Sequence, residues 1–470
     1  MRISDIIRMG MDYVILGIAV VAFLGVAFLL WYFLWFKKKR QGEKLNKGKV
    51  LIWAFFVIYA VVLIGATMFR GSYYGNARIY PLFYSYIDAW NDFSKTEWQN
   101  IILNICLFVP LGIFLPMLIK KADKFWTVYL IGLSVTCFIE VVQLVLNIGI
   151  FEPDDLLGNT VGVMIGYGIY RILRYVLAKK KGDMSEKLTR VLGFQIPLLV
   201  TVLSFGGIFL AYYMKELGNI SEAYIIKQKN IDVHSSLEFS DEKESAMVYR
   251  ADIFTLDETR ELAEQIFKGY GADIDDESID AYENSVLYYS AGRDLSIWVQ
   301  YDGGTFSFTN FDKVFEEITE EKEEVDVTKD ELSGALDAIG IFVPKEAEIE
   351  AKSENKYLLG VETVKENGKM YDGKLECTYY PDGSFGRIEY NILQLEDYKE
   401  FPILSKKEAY QKLQDGEFVY YRADDTVLDI EVLEVNLEYV LDTKGFYQPV
   451  YQFRVIAGEW WTTIMVPAIK

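Results

Sequence analysis

Histidine is nearly missing from this chain of 470 residues, which has one, His234. A histidine-ligated metal site or a Ser-His-Asp triad within residues 1–214 is therefore excluded by composition. Cysteine is almost as scarce. Cys106 and Cys137 lie in apolar runs and Cys377 stands far from both, so no spacing suggests a zinc site or a disulfide framework. Negative charge is scarce in one part only. Residues 1–214 hold 22 Lys+Arg against 13 Asp+Glu, a net of +9, whereas 215–470 hold 26 against 55, a net of −29. An acidic surface of that size repels phosphates and argues against a nucleic-acid partner. Nothing in the composition calls for a cofactor.

What the first part has is apolar length. Six runs, near 12–36, 50–69, 101–119, 125–147, 159–177 and 191–214, approach or exceed the ~20 residues that cross a bilayer core. The first is too long, and lacks the small-residue cleavage site, for a simple signal peptide, so it reads as retained. The expected fold is a polytopic α-helical membrane bundle over 1–214, followed by a soluble α+β domain over 215–470. Lys and Arg crowd loops 37–49, 120–124 and 178–190. If the spans alternate, all three loops share a side, and basic loops stay cytoplasmic. The N-terminus, loops 70–100 and 148–158, and the C-terminal domain then lie outside. Loop 70–100 is rich in Tyr and Trp, which favour the water–lipid boundary.

Polar residues interrupt the spans in a pattern. Asn100, Asn104, Phe108 and Gly112 recur every four residues and share a helix stripe. Glu140, Gln143 and Asn147 fall at i, i+3 and i+7, again one face. Asp154, Asp155 and Asn159 open the next helix, where the two acids can cap free amides and meet the positive dipole end. Together with Arg78 these residues could form one cluster in the outer half of the membrane. A carboxylate at the centre of a span costs about 3 kcal/mol, which makes Glu140 a candidate functional residue. The plainer alternatives are that Asn104 and Gln143 act as interhelical hydrogen-bond glue, and that the Asp pair are only caps. Gly158, Gly162 and Gly166 form a small-xxx-small seam that lets a neighbouring helix approach.

The segments ARIYPLFYSY at 77–86, NIILNICLFVPLGIFLP at 100–116, IEVVQL at 139–144 and FEPDDLLGNTVGVMIGY at 151–167 resemble the VanZ-like family of membrane proteins. The likeness covers about residues 70–175. It maps the family's recurring polar positions onto Arg78, Asn104, Glu140, Gln143, Asp155 and Asn159. Glu152–Pro153 stands where members often show an alternating Asp-x-Asp, a departure that bears on how Asp154 and Asp155 align. The resemblance implies an envelope protein. The family's namesake is linked to resistance to teicoplanin, a lipid-bearing glycopeptide that acts at the outer membrane face.

In the second part, Thr255–Glu258, Thr328–Glu331 and Ser405–Glu408 are three capping boxes, 73 and 77 residues apart. Each opens a short amphipathic helix, followed by alternating aromatic-rich strands with Gly turns. Three diverged repeats are expected, each an antiparallel sheet with one helix. The third resembles PepSY-type modules and YycI-type extracytoplasmic regulators. No catalytic constellation stands out, and calcium lacks a loop signature.

Four functions follow. The first is a non-enzymatic envelope protein that binds an amphiphile or lipid-linked wall precursor, with an envelope partner for the ectodomain. The second is an enzyme in which Glu140 and Asp155 supply acid/base chemistry or hold Mg²⁺. The third is a regulator that senses through the ectodomain. The fourth is a transporter, for which no inverted repeat is visible.

Overall fold

The computed structural model describes residues 47–68, 79–119, 124–182, 187–221, 226–319, 327–353, 355–366, 368–420 and 426–470, with positions 15, 18, 21 and 22. The span expected at 12–36, apart from those four positions, lies outside the described residues, as does Arg78. The chain divides into two compact units, Met1–Glu216 and Leu217–Lys470.

The first unit is helical: α1 (Lys47–Met68), α2 (Tyr84–Asp92), α3 (Lys95–Leu118), α4 (Phe125–Leu146), α5 (Pro153–Lys180), α6 (Leu188–Gly193) and α7 (Ile196–Met214). Among the described residues five helices, α1, α3, α4, α5 and α7, are long and apolar enough to cross a membrane. Three boundaries differ from the sequence expectation. Helix α3 starts at Lys95 because Ser94 caps it, its Oγ accepting from the amides of Thr96 and Glu97. Helix α5 starts at Pro153, a residue that suits a first turn because its missing N–H would have had no helical partner. The last run is broken into α6 and α7, with Pro197 in the first turn of α7.

Glycine decides the packing of α3 on α5. A Cβ at Gly162 would lie 2.1 Å from the Ile105 carbonyl oxygen, and one at Gly166 would lie 1.9 Å from that of Val109. On the facing helix, a Cβ at Gly112 would lie 2.1 Å from the Val163 carbonyl oxygen. The backbones therefore touch, as small residues allow in lipid. Gly158 is looser, since its Cβ would meet Ile105 Cγ1 at an ordinary 3.5 Å. Phe108, Leu111, Val128, Ile139, Val163 and Tyr167 fill the core beside this seam. Apolar side chains on α7 such as Leu199, Val202 and Leu203 stay exposed, as a helix facing lipid requires.

The second unit is an α+β domain. In order it runs β1 (Ile231–Ser235), β2 (Ser245–Ala251), α8 (Leu256–Gly269), β3 (Asp280–Ala281), β4 (Ser285–Tyr289), β5 (Leu295–Gln300), β6 (Phe306–Asn310), α9 (Phe311–Thr319) and α10 (Lys329–Ala338). It continues with β7 (Glu348–Ser353), β8 (Lys356–Glu366), β9 (Lys369–Tyr379), β10 (Phe385–Pro402), α11 (Lys406–Gln414), β11 (Leu428–Leu441), β12 (Phe446–Ala457) and β13 (Trp460–Pro467). All three capping boxes form with both reciprocal hydrogen bonds, at the starts of α8, α10 and α11.

Three separate repeats do not form. Helices α8 and α10 share one core, where Ile266 and Phe267 meet Leu332 and Leu336 over β4, β5 and β6. Helix α11 packs on a second core with β11, β12 and β13. The sheets are not separate either. Strand β10 is 18 residues long. Its first half pairs with β6 and β9, and its second half pairs with β2. One strand therefore serves both cores, and all thirteen described strands join a single network.

The N-terminal edge of this unit is tied down by Asp442, which is 4% exposed. Its carboxylate accepts from the amides of Gly218 at 2.6 Å, Lys444 at 2.7 Å and Phe446 at 2.9 Å, and from Gln448 Nε2. Thr443 Oγ1 accepts from the Asn219 amide, so residues 218–219 are laced to the β11–β12 turn.

Candidate functional site

One end of the helical unit holds a cavity of about 400 Å³. Its walls come from the end of α1 (Thr67), Tyr80 with the first turns of α2 (Tyr84, Ser85, Tyr86 and Asp88), the first turns of α3 (Glu97 to Asn104), the end of α4 (Gln143) with the turn beyond it, and the start of α5 (Asp154, Asp155 and Gly158). A recess of about 30 Å³ adjoins it, lined by Asn104, Glu140, Gln143, Asp155 and Asn159. The stripes read from helical spacing therefore meet. Asn104, Glu140, Gln143, Asp155 and Asn159 come together in the recess, and Asp154 lines the outer chamber. Asn147 does not join them. It ends α4 in a left-handed conformation at φ 53°.

Helix geometry explains each placement. Glu140 and Gln143 are one turn apart on α4, and both line the recess. Glu140 is 2% exposed, and its Oε2 accepts from the Glu152 amide at 3.1 Å. A side chain deep in α4 thus holds the turn that leads into α5. Gln143 donates to the Thr67 carbonyl at 2.8 Å, joining α4 to the end of α1. Asn104 Nδ2 donates to Asp155 Oδ1 at 2.7 Å, joining α3 to α5. Asn159 is 4% exposed, and its Nδ2 donates to Thr136 Oγ1 at 2.9 Å. Among the described residues its Oδ1 has no hydrogen-bond partner.

The expectation that Asp154 caps its own helix is corrected. Asp154 is 5% exposed and accepts from the amides of Phe83 at 2.6 Å and Ser85 at 2.9 Å. It therefore caps α2, whose own N-cap Phe83 offers no side-chain acceptor and sits at φ 70°. Glu152 occupies the N-cap of α5 without a side-chain cap bond, and instead accepts from Ser85 Oγ at 3.1 Å. The two acids remain in the first turn, where the helix dipole favours negative charge.

Sequence reasoning missed Glu152 and Ser85, and also Asp88 and Glu97, which line the chamber. The signal for Glu152 was present as an acid placed directly before a helix-opening proline. Glu152 lies outside the spans. Burial, then the charge of Asp155, pushes its carboxyl up to about 7, against the lowering effect of Ser85. Asp88 is raised by burial first and by Asp92 second. Among the described residues, no three His, Cys, Asp or Glu side chains are grouped so as to hold a metal ion.

Residues 23–174 match the VanZ/LLP1 family model. Over that stretch the chain is similar to the VanZ family. The match begins well before residue 70, so the VanZ-like part takes in α1 as well as the cavity walls. Protein VanZ of Enterococcus faecium is 28% identical over 162 residues, which cover 33% of this chain and 92% of that protein. Two solved structures are also similar to this chain. An uncharacterized protein from Eubacterium rectale aligns at 13% identity and TM-score 0.27, covering 51% of this chain and 88% of that one. The Bacillus megaterium YpeB C-terminal domain aligns at 13% identity and TM-score 0.20, covering 46% and 94%.

Proposed function

We propose that the VanZ-like part binds an amphiphile, or a lipid-linked wall component, in the outer leaflet, and that the ectodomain engages an envelope partner. The observation that carries this is the cavity, a polar chamber cut into one end of a helical bundle whose outer surface is apolar. Such a chamber suits a molecule with a polar head and an apolar tail. Its placement in the outer leaflet rests on the basic loops 37–49, 120–124 and 178–190, which assign the opposite end of the bundle to the cytoplasm. In this topology a first span over 12–36 brings the number of spans to six, with the N-terminus and the ectodomain outside.

The test is complementation of a deletion strain with wild type and Glu140→Gln at matched membrane abundance, scored as growth under teicoplanin and other wall-active compounds. A null phenotype for Glu140→Gln at normal abundance supports a working cavity. Wild-type behaviour would reduce the polar cluster to helix glue and move the search to the ectodomain. The enzymatic reading, with Glu140 and Asp155 as acid and base, makes a different forecast in the same strain, namely accumulation of an unprocessed lipid-linked substrate.

A further inference from the structure

We propose that β13 pairs with β13 of a second copy of this chain, antiparallel about a two-fold axis at Thr463, so that the two sheets run on as one. This goes beyond the proposed function and does not rest on it. The amphiphile reading of the cavity stands or falls separately.

The argument starts from the edges of the sheet. An edge strand presents unpaired N–H and C=O groups, and folded chains guard such edges with shortness, charge, proline or a covering segment. Among the described strands β1, β3, β7 and β13 each pair on one side only. Strand β3 is two residues long. Strand β1 carries Asp232 and His234, and β7 carries Glu348, Glu350 and Lys352. Strand β13 has none of these guards. It reads WWTTIMVP, eight residues without a charge, and its one proline is its last residue. Trp460 is 74% exposed and Trp461 63%. Residues 215–470 carry a net of −29, so an uncharged aromatic edge stands out there as a place where an extended strand can add.

The strand's own pattern fits a second copy. Ile464 and Val466 are buried in the core that holds Ala409 and Leu413 of α11, whereas Trp461 and Thr463 are exposed on the opposite face. A two-fold axis perpendicular to the sheet keeps each copy's faces, so outward residues must meet outward ones. An axis at Thr463 satisfies this. It sets Thr463 against Thr463, Trp461 against Met465 and Thr462 against Ile464. The overlap ends at Pro467, just before Ala468, whose carbonyl oxygen already accepts from the Leu404 amide at 2.8 Å. Every pair within the overlap is free of like charges, and Thr–Thr and Trp–Met pairs are favourable ones. The charges that bracket the strand are opposite in sign, Glu459 before it and Lys470 beyond it. Antiparallel pairing brings the start of one copy towards the end of the other.

The test uses the full chain. Directly opposed residues in an antiparallel pair have Cα atoms about 4.5–5.5 Å apart, within a disulfide's reach. Thr463→Cys, oxidised in membranes, should therefore give a disulfide-linked dimer whose 463–463 link is read by mass spectrometry. Thr462→Cys should not, because Thr462 opposes Ile464 and its own copy lies beyond the roughly 7 Å that a disulfide can bridge. Wild type, with its three native cysteines, is the blank. Thr463→Lys sets two like charges face to face on the axis. It should weaken the dimer, measured by light scattering in detergent, about fivefold or more, with the urea midpoint of the second unit unchanged because Thr463 is exposed. Support requires both results. A monomeric wild type, or no 463–463 link, overturns the proposal. A dimer that survives Thr463→Lys overturns it as well, because its interface then lies elsewhere. Cross-linking of Thr463→Cys to a different protein replaces the second copy as the occupant and overturns it too.

Discussion

Glu140 and Asp442 are both buried carboxylates, and they are held in opposite ways. Asp442 is surrounded by donors, three backbone amides and one side-chain amide. Among the described residues Glu140 accepts one hydrogen bond, from the Glu152 amide, beside a cavity that also contains an acceptor with no donor. A carboxylate whose lone pairs are filled by its own chain is a structural pin. One left with spare lone pairs at the edge of an open space is arranged for something else. The number of satisfied lone pairs, more than burial, separates the two roles.

The contrast can be broken most severely at the pin. Asp442→Ala strips three backbone amides of their acceptor, and we expect a loss of about 3 kcal/mol or more in the C-terminal unit. This should appear as a lower urea midpoint for the C-terminal unit's transition in the full-length protein. A midpoint unchanged from wild type would mean that the amides find other partners. Next in size is the glycine seam. Gly166→Ala puts a methyl against the Val109 carbonyl oxygen and should cost about 2 kcal/mol by overpacking, whereas Gly158→Ala should be close to neutral. Thermal melts of the two variants in detergent read the difference directly, and equal melts would show that α3 and α5 separate easily. Glu140→Gln keeps an acceptor for the Glu152 amide, so its stability change should stay within about 1 kcal/mol while function is lost. A large melting shift would turn Glu140 into a pin as well.

The smallest expected effect is one of pH. Asp302 has a carboxyl raised by burial and then by the nearby charge of Asp442. The folded chain therefore holds this proton more tightly than the unfolded chain. Stability falls as pH climbs from the ordinary carboxylate range through the raised value, because the folded state then binds more protons than the unfolded one. Asp302→Asn should flatten that fall in a pH series of urea midpoints. A slope identical to wild type would show that Asp302 does not contribute.

What could be read from the chain was what is local. The capping boxes at Thr255, Thr328 and Ser405 are each complete within four residues, and each forms. The stripes on α3 and α4 follow from helical period alone, and they meet at the recess. What could not be read was partner choice over distance. Asp154 caps a helix that begins some 70 residues earlier, and nothing in PDDLLGN says so. The three-repeat expectation took its evidence from helix starts, whereas the number of cores is set by how the strands pair. Strand β10 is long enough to be claimed twice, and its apolar pattern does not announce where one claim ends.

Strand pairing also sets a timetable. Strands β1 and β2 come early in the second unit, yet β1 pairs with β11, whose partner residues 428–432 emerge nearly 200 residues later. Strand β2 waits for β10 and β12 in the same way. While the chain is being delivered, its first two strands therefore have open edges, and the second core cannot close until its last strands arrive. The first core, whose buried residues run from Ala263 to Ile392, can close in the meantime. A stop codon placed between β10 and β11 should thus leave one finished half-domain with β2 held on β10 alone and β1 dangling beside it, ready prey for a protease.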